Sequence, residues 1–269
     1  MSTPADRTYT YGDTTVAGDR LAVLASIFGP TTAEFVRRDA RSDPTRPVAL
    51  ALDLGCGPGY TTALVHEQAE PVRTVGLERS DAFVLRARVE HGHAGVEFLP
   101  HDITVTPFPT GPADLVFARY LLAHLPEPVA VRDRWLTQVR PGGRLLVEEI
   151  DHIDTSIGTF ARYLDVVQQM SRGHGTDLLV GPTLAAAAPP TGTRLVGDTI
   201  ARISPEPRTV ARIFAMNLSV WRDDPWVVEH VPVDVVTALD DELRALVTSA
   251  PDTGITWHHR QLAFRPPNR

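Results

Sequence analysis

The chain has 269 residues, 43% of them hydrophobic, a formal net charge of −7 and one cysteine, Cys56. This length and apolar content allow a sizeable core in one enzyme-sized unit, while a lone cysteine excludes an internal disulfide framework or a thiolate metal cluster. All 26 basic residues are arginines, so no lysine is available for Schiff-base, pyridoxal-phosphate or P-loop chemistry, and the acidic balance argues against a nucleic-acid partner, whose phosphates need a basic face.

The polar start at Met1 carries no basic-plus-apolar leader, and no apolar run reaches the ~18–20 residues of a membrane span. A cytoplasmic protein without a membrane partner is the expectation. In residues 1–46, Tyr9 and Tyr11 precede Leu21, Leu24 and Phe28 at helical spacing. The pattern predicts one helix over about 16–28 and a second over about 31–41.

Residues 50–60 read LALDLGCGPGY. An apolar run ending in Gly55, Gly57 and Gly59 describes a buried strand turning tightly into a helix, with glycine where positive φ or a close ligand excludes a Cβ. The dinucleotide fingerprint Gly-x-Gly-x-x-Gly fails by one residue, since position 60 is Tyr60. Residues 73–78 read as a second strand ending in Glu78, 19 residues after Gly59, where a ribose-binding carboxylate belongs. Ser80 and Asp81 start a helix to about His91. Strands follow at 96–102, ending in Asp102, at 113–118, and after the Pro-Gly-Gly turn at 141–143, running on to Asp151. Strands alternating with helices imply right-handed βαβ crossovers and a parallel sheet.

Together, DLGCGPG at 53–59, the acids Glu78 and Asp102, RYLLAHL at 119–125 and the Pro-Gly-Gly strand resemble the class I S-adenosylmethionine-dependent methyltransferases of the small-molecule type. The resemblance covers residues 48–151. It implies S-adenosylmethionine as cofactor, with Asp53, Gly55, Cys56, Gly57 and Gly59 in the turn around its amino-acid part. It further implies Glu78 with Arg79 at the ribose, Asp102 with Ile103 at the adenine, and Arg119 after the fourth strand. Tyr11 and Arg20 are candidates to meet the cofactor carboxylate from the N-terminal segment. The implied fold is a Rossmann-like α/β class: a seven-stranded, mostly parallel sheet with helices on both faces and an antiparallel last strand. The parts are an N-terminal helical cap at 1–46, the cofactor-binding core at 47–151, a helical lid insertion at 152–193 and a C-terminal part at 194–269. In the insertion a helix is expected over about 159–172, then a short alanine-rich helix stopped by Pro189-Pro190. Strands at 194–205 and 255–265 flank helices at about 208–221 and 233–249.

The implied activity is methyl transfer to an O, N or C atom of a small, aromatic or apolar natural-product-type acceptor by a monomer or homodimer. Two alternatives are a cofactor-binding protein catalysing a non-methylating reaction such as cyclisation, and a nicotinamide-dependent oxidoreductase, which the glycine register disfavours. For a general base, His124, Glu149, Asp151 and His152 stand at carboxyl ends of strands, where ligands gather. His124, whose imidazole titrates near working pH, comes first, and since Asp151 and His152 are adjacent and would face opposite ways on a strand, at most one of the two is expected in the pocket. His152 with Asp154, and His91 with His93, each offer two metal ligands without a third at a convincing spacing, so no metal is expected.

Overall fold

The computed structural model describes residues 15–41, 45 and 47–267. Its sheet has seven strands: β1 (Leu50–Leu54), β2 (Arg73–Glu78), β3 (Val96–Pro100), β4 (Ala113–Arg119), β5 (Val139–Thr155), β6 (Arg194–Ile203) and β7 (Ile255–Arg265). They lie in the order β3-β2-β1-β4-β5-β7-β6. Strands β1 to β5 pair in parallel, and β7 runs antiparallel to both β5 and β6. Strand β1 is buried along its whole length, the signature of a strand covered on both faces.

The covers differ in composition. On one face α1 (Thr15–Asp39) and α2 (Tyr60–Ala69) bring Phe35, Val36, Val65 and Ala69 onto Phe117 and Leu146. On the other, α4 (Pro128–Leu136) and α6 (Gly181–Ala186) bring Trp135, Leu136 and Leu184 onto Leu52, Val116 and Leu145. Helix α3 (Asp81–His91) starts where expected, Ser80 capping it by accepting from the Phe83 N–H at 3.3 Å. A third apolar cluster joins α5 (Gly158–Gly173), α7 (Pro207–Trp221) and α9 (Val233–Ser249), with α8 (Pro225–His230) between the last two. No helix of the described residues is long and apolar enough to cross a membrane.

The two expected N-terminal helices are one helix of 25 residues that passes through Pro30. Gly29 before it has no Cβ to meet the proline ring, which removes much of the steric cost of helical backbone there. The Thr31 hydroxyl donates to the Phe28 carbonyl at 2.9 Å. Burial of Phe28 on one side of the proline and Phe35 on the other then holds both halves to the same body.

The lid expectation also needs revision. Of the insertion's helices, α5 faces the large cavity described below, whereas α6 packs on β5 and β7 with Leu184 fully buried. Nor does the proline pair end α6, whose last residue is Ala186. The Arg132 guanidinium, fully buried, donates to the carbonyls of Leu184, Ala187 and Ala188 at 3.0–3.1 Å and to Asp133 at 2.7 Å. It satisfies the orphan acceptors a helix C-terminus leaves. Arg132→Met removes those donors and strands the buried Leu184 carbonyl, at about 1–3 kcal/mol, together with the part-buried carbonyls of Ala187 and Ala188. The variant is expected to lose about 3 kcal/mol of unfolding free energy, read from its urea midpoint; a loss below about 1 kcal/mol contradicts this role.

Candidate active site

Where β1 ends, Gly55, Gly57 and Gly59 all have positive φ, at 60°, 53° and 95°. At Gly55 a Cβ would lie 2.7 Å from Leu121, and at Gly59 3.0 Å from Phe98 and His91, so packing as well as backbone angle demands glycine there. At Gly57 the nearest atom, of Leu21, would be 3.5 Å away. The backbone there is open to the cavity, the cradle that a ligand fills. Beneath the turn, Asp53 accepts from the Thr61 and Thr62 hydroxyls at 2.6 and 2.7 Å, tying β1 to the first turn of α2. Burial pushes its carboxyl up to about 6.

The cavity over this turn has a volume of about 1340 Å³. Of the residues assigned to the cofactor from sequence, Gly55, Cys56, Gly57, Glu78, Arg79, Asp102, Ile103 and Arg119 line it. Asp53 and Gly59 do not: they shape the turn from below and behind. Glu78 bridges the turn and the start of α3, its Oε2 accepting from Gly57 N at 3.0 Å and its Oε1 from Ser80 N at 2.9 Å. A carboxylate has about four lone-pair positions, which leaves capacity for a diol. Asp102 accepts from the Thr104 N–H and hydroxyl through Oδ1 alone. Arg119 donates to Thr32 at 3.0 Å, and Thr32 in turn donates to Glu148 at 2.5 Å.

The opposite end of the cavity is built by α1, α5 and α7. Phe28, Leu164, Val167, Phe214 and Trp257 give it apolar walls, while Arg20, donating to Asn217 at 3.1 Å, and Tyr163 supply polar edges. Arg20 therefore reaches the cavity as expected; Tyr11 lies outside the described residues.

Among the base candidates the structure separates His124 and Glu149, which line the cavity, from Asp151 and His152. His124 closes a short 3-10 turn, Leu122–His124, and lines the cavity. Burial, with the positive charge of Arg20, pushes it down to about 4, so it is a neutral imidazole at pH 7. Asp151 and His152 do not line the cavity. They were expected to face opposite ways, yet they bond to each other at 3.0 Å. The register of β5 against β7 shifts between Ile150 and His152, and the extra residue of a bulge breaks the strict alternation of faces.

Sequence reasoning gave no role to Tyr120 and His259. Tyr120 has φ 52°, a conformation costly for a residue with a bulky side chain. Its hydroxyl lies 2.6 Å from His259 Nε2, and Phe28 packs edge-on against both rings. Burial pushes His259 down to about 3 and the Tyr120 hydroxyl well above its ordinary value, so the pair is uncharged. The clue available in sequence was Tyr120's place just past the carboxyl end of β4; His259 comes from β7, 139 residues away. Next to them Glu149 accepts the N–H groups of Leu121 and Leu122 through Oε1 at 2.8 and 2.7 Å.

Residues 52–147 match the family model described as a methyltransferase domain. They form a methyltransferase domain, similar to those of the class I S-adenosylmethionine-dependent methyltransferases. A trans-aconitate 2-methyltransferase from Azoarcus sp. (strain BH72) is 34% identical over 105 residues, 39% of this chain and 40% of that protein, so the chain spans about two-fifths of the length of this relative. A proposed type II methyltransferase from Anaeromyxobacter dehalogenans shares the fold over 88% of this chain and 96% of its own, at 16% identity and a TM-score of 0.58. The cyclase SpnF shares it over 89% of this chain and 82% of its own, at 19% identity and a TM-score of 0.50. S-adenosylmethionine is the cofactor of the class. The positive-φ glycines, the open backbone at Gly57 and the spare capacity of Glu78 fit that molecule in this methyltransferase domain.

Burial pushes the Glu149 carboxyl up to about 8 from an ordinary value of 4.5. Between those values the folded chain keeps a proton that the unfolded chain has lost, so this residue lowers stability as pH rises through the window, and the effect levels off above it. Glu149→Gln keeps an acceptor for both backbone N–H groups and cannot ionise. Each tenfold difference in proton affinity between the folded and unfolded chain is worth ~1.4 kcal/mol. Relative to wild type, the variant is therefore expected to gain a few kcal/mol of unfolding free energy between about pH 5 and pH 8.5. Urea midpoints at the two pH values measure this, and an unchanged difference would refute the buried neutral acid.

Proposed function

We propose that the chain transfers a methyl group from S-adenosylmethionine to an O, N or C atom of a small, mainly apolar or aromatic acceptor of the natural-product kind. The observation that carries this reading is the two-ended cavity. Single-ligand pockets run to about 300–1,000 Å³, so about 1340 Å³ leaves room beyond the cofactor. That room lies against Phe28, Leu164, Phe214 and Trp257. A polycarboxylate acceptor of the kind in the relative's name would need several cations facing it, whereas these walls are mainly apolar and aromatic, with the Arg20 guanidinium at their edge.

When bound, the cofactor supplies a methyl carbon already activated on a sulfonium, with a neutral thioether as leaving group. The backbone at Gly55 to Gly57 would hold its amino-acid part, the free lone pairs of Glu78 its ribose hydroxyls, and Asp102 its adenine amino group. The rest of the task is alignment, since near-attack geometry can supply on the order of 7–11 kcal/mol. The α1, α5 and α7 walls position the acceptor and exclude water. His124, neutral at pH 7 and facing the cavity, is placed to take a proton from a hydroxyl or ammonium acceptor, and Tyr120, held by His259, to hydrogen-bond its polar group. Asp151 and His152 have no part in this step.

Calorimetric titration with S-adenosylhomocysteine, run beside oxidised and reduced nicotinamide cofactors, tests the reading. Binding of the homocysteine nucleoside alone is expected, weakened about tenfold or more in Glu78→Ala; binding of a nicotinamide cofactor alone overturns it. With a hydroxyl acceptor, His124→Gln is expected to leave that affinity within about twofold and to lower kcat by about 10²–10⁴-fold. Conversion of an acceptor without stoichiometric release of S-adenosylhomocysteine would instead place the chain among non-methylating users of the cofactor.

A further inference from the structure

On the β5–β7 ribbon, Ile153 and Trp257 face the cavity while their strand neighbours face away from it. There His152 and Asp154 of β5 meet His258 of β7, their ligating atoms all within 4.8 Å of one another. Sequence offered only the first two; the third stands 104 residues beyond Asp154 and arrives because His152 and His258 are directly paired in the antiparallel register. His258 Nε2 lies 2.9 Å and His152 Nε2 3.6 Å from the same oxygen, Asp154 Oδ2. Zinc bonds of ~2.0–2.1 Å in a tetrahedral site put ligand atoms roughly 3.4 Å apart, so these separations already bracket what one ion requires.

The surroundings favour a metal over a plain hydrogen-bond cluster. His152 Nδ1 is engaged by Asp151 Oδ2 at 3.0 Å, leaving Nε2 turned toward Asp154. Asp151 is itself fixed by Arg260 Nε at 2.6 Å, and Arg260 grips both oxygens of Asp198 at 2.8 and 3.0 Å. A carboxylate on the far nitrogen of a ligating histidine, itself held in place, is the usual outer support of a metal site, fixing both tautomer and ring direction. The imidazoles of His152 and His258 stack with centroids 3.7 Å apart. The His152 side chain is 44% exposed and that of Asp154 71%, so both can turn to converge on an ion, while buried His258 provides the fixed point. Arg202 is paired opposite His258 on β6 and sets the charge that the two carboxylates must outweigh.

We propose that His152, Asp154 and His258 form a surface site for a borderline divalent transition ion such as zinc. Two imidazole nitrogens and one carboxylate oxygen are a three-ligand set of the open kind, with a fourth position left to water. An ion there clips the end of β5 to the start of β7, on the reverse of the cavity wall made by Ile153 and Trp257. This site is independent of the methyl-transfer reading.

The test is calorimetric titration of the untagged full chain with zinc chloride, with thermal unfolding followed in parallel. One saturable ion per chain and a raised Tm are expected, both lost in His258→Ala and in His152→Ala. Asp151→Asn, which keeps all three ligands but removes the carboxylate behind His152, is expected to weaken binding by about 10–100-fold. His93→Ala, on the separate His66–His93 ring pair, is expected to bind as wild type does. No saturable binding, or zinc binding that survives in both folded His258→Ala and His152→Ala, or that is lost in His93→Ala, overturns the proposal.

Discussion

Two adjacent buried carboxyls, Glu148 and Glu149, hold the functional end of the molecule together. Neighbours on a strand point to opposite faces, so one strand serves two layers at once. Glu148 gathers Thr32 of α1 and Gln261 of β7, and through Thr32 it orders Arg119. Glu149 takes the backbone of Leu121 and Leu122. Between these anchors lies Tyr120, whose positive φ is tolerated because its carboxyl-side neighbours and its hydroxyl are all fixed. Burying two acids is costly unless their bonds are made. Burial raises both carboxyls' proton affinity, which reduces the charge that has to be buried.

That arrangement explains why the cavity has two chemically different ends. The parallel strands stop at one level, and the groups just past their carboxyl ends are polar: the glycine turn, Glu78, Asp102 and Arg119. Above them α1, α5 and α7 add an apolar wall from outside the core, with Phe28 as the shared contact, touching Tyr120, Trp257 and His259. The first end thus offers charged and hydrogen-bonding groups, and the second mainly apolar and aromatic surface. His124 stands between them, uncharged because it is buried and next to Arg20.

The bulge in β5 divides the ribbon's two faces. Up to Ile150 the strand serves the core and the cavity; beyond the shift, Asp151 and His152 face away with Asp154, and meet β7 residues that have no contact with the cavity. One irregular residue thus keeps both acid–base groups, of which at most one was expected in the active site, on the opposite surface, where they have partners of their own.

The sequence by itself determined the α/β class, the succession of strands and helices along the chain and the glycine turn after the first strand, because each of these is local. Glycines with positive φ, acids at strand ends and the Ser80 cap are read within a few residues of where they act. Asp53 and Gly59 were placed within the right turn, though in supporting positions that only packing reveals. Tertiary structure decided what local spacing cannot encode: that α1 runs unbroken through Pro30, because both halves bury against one body, and that a bulge turns Asp151 and His152 away. It also decided that Tyr120 meets His259, and His152 meets His258, across more than a hundred residues of chain. Those contacts arise from strand register, and register is fixed by the burial of whole faces rather than by any motif.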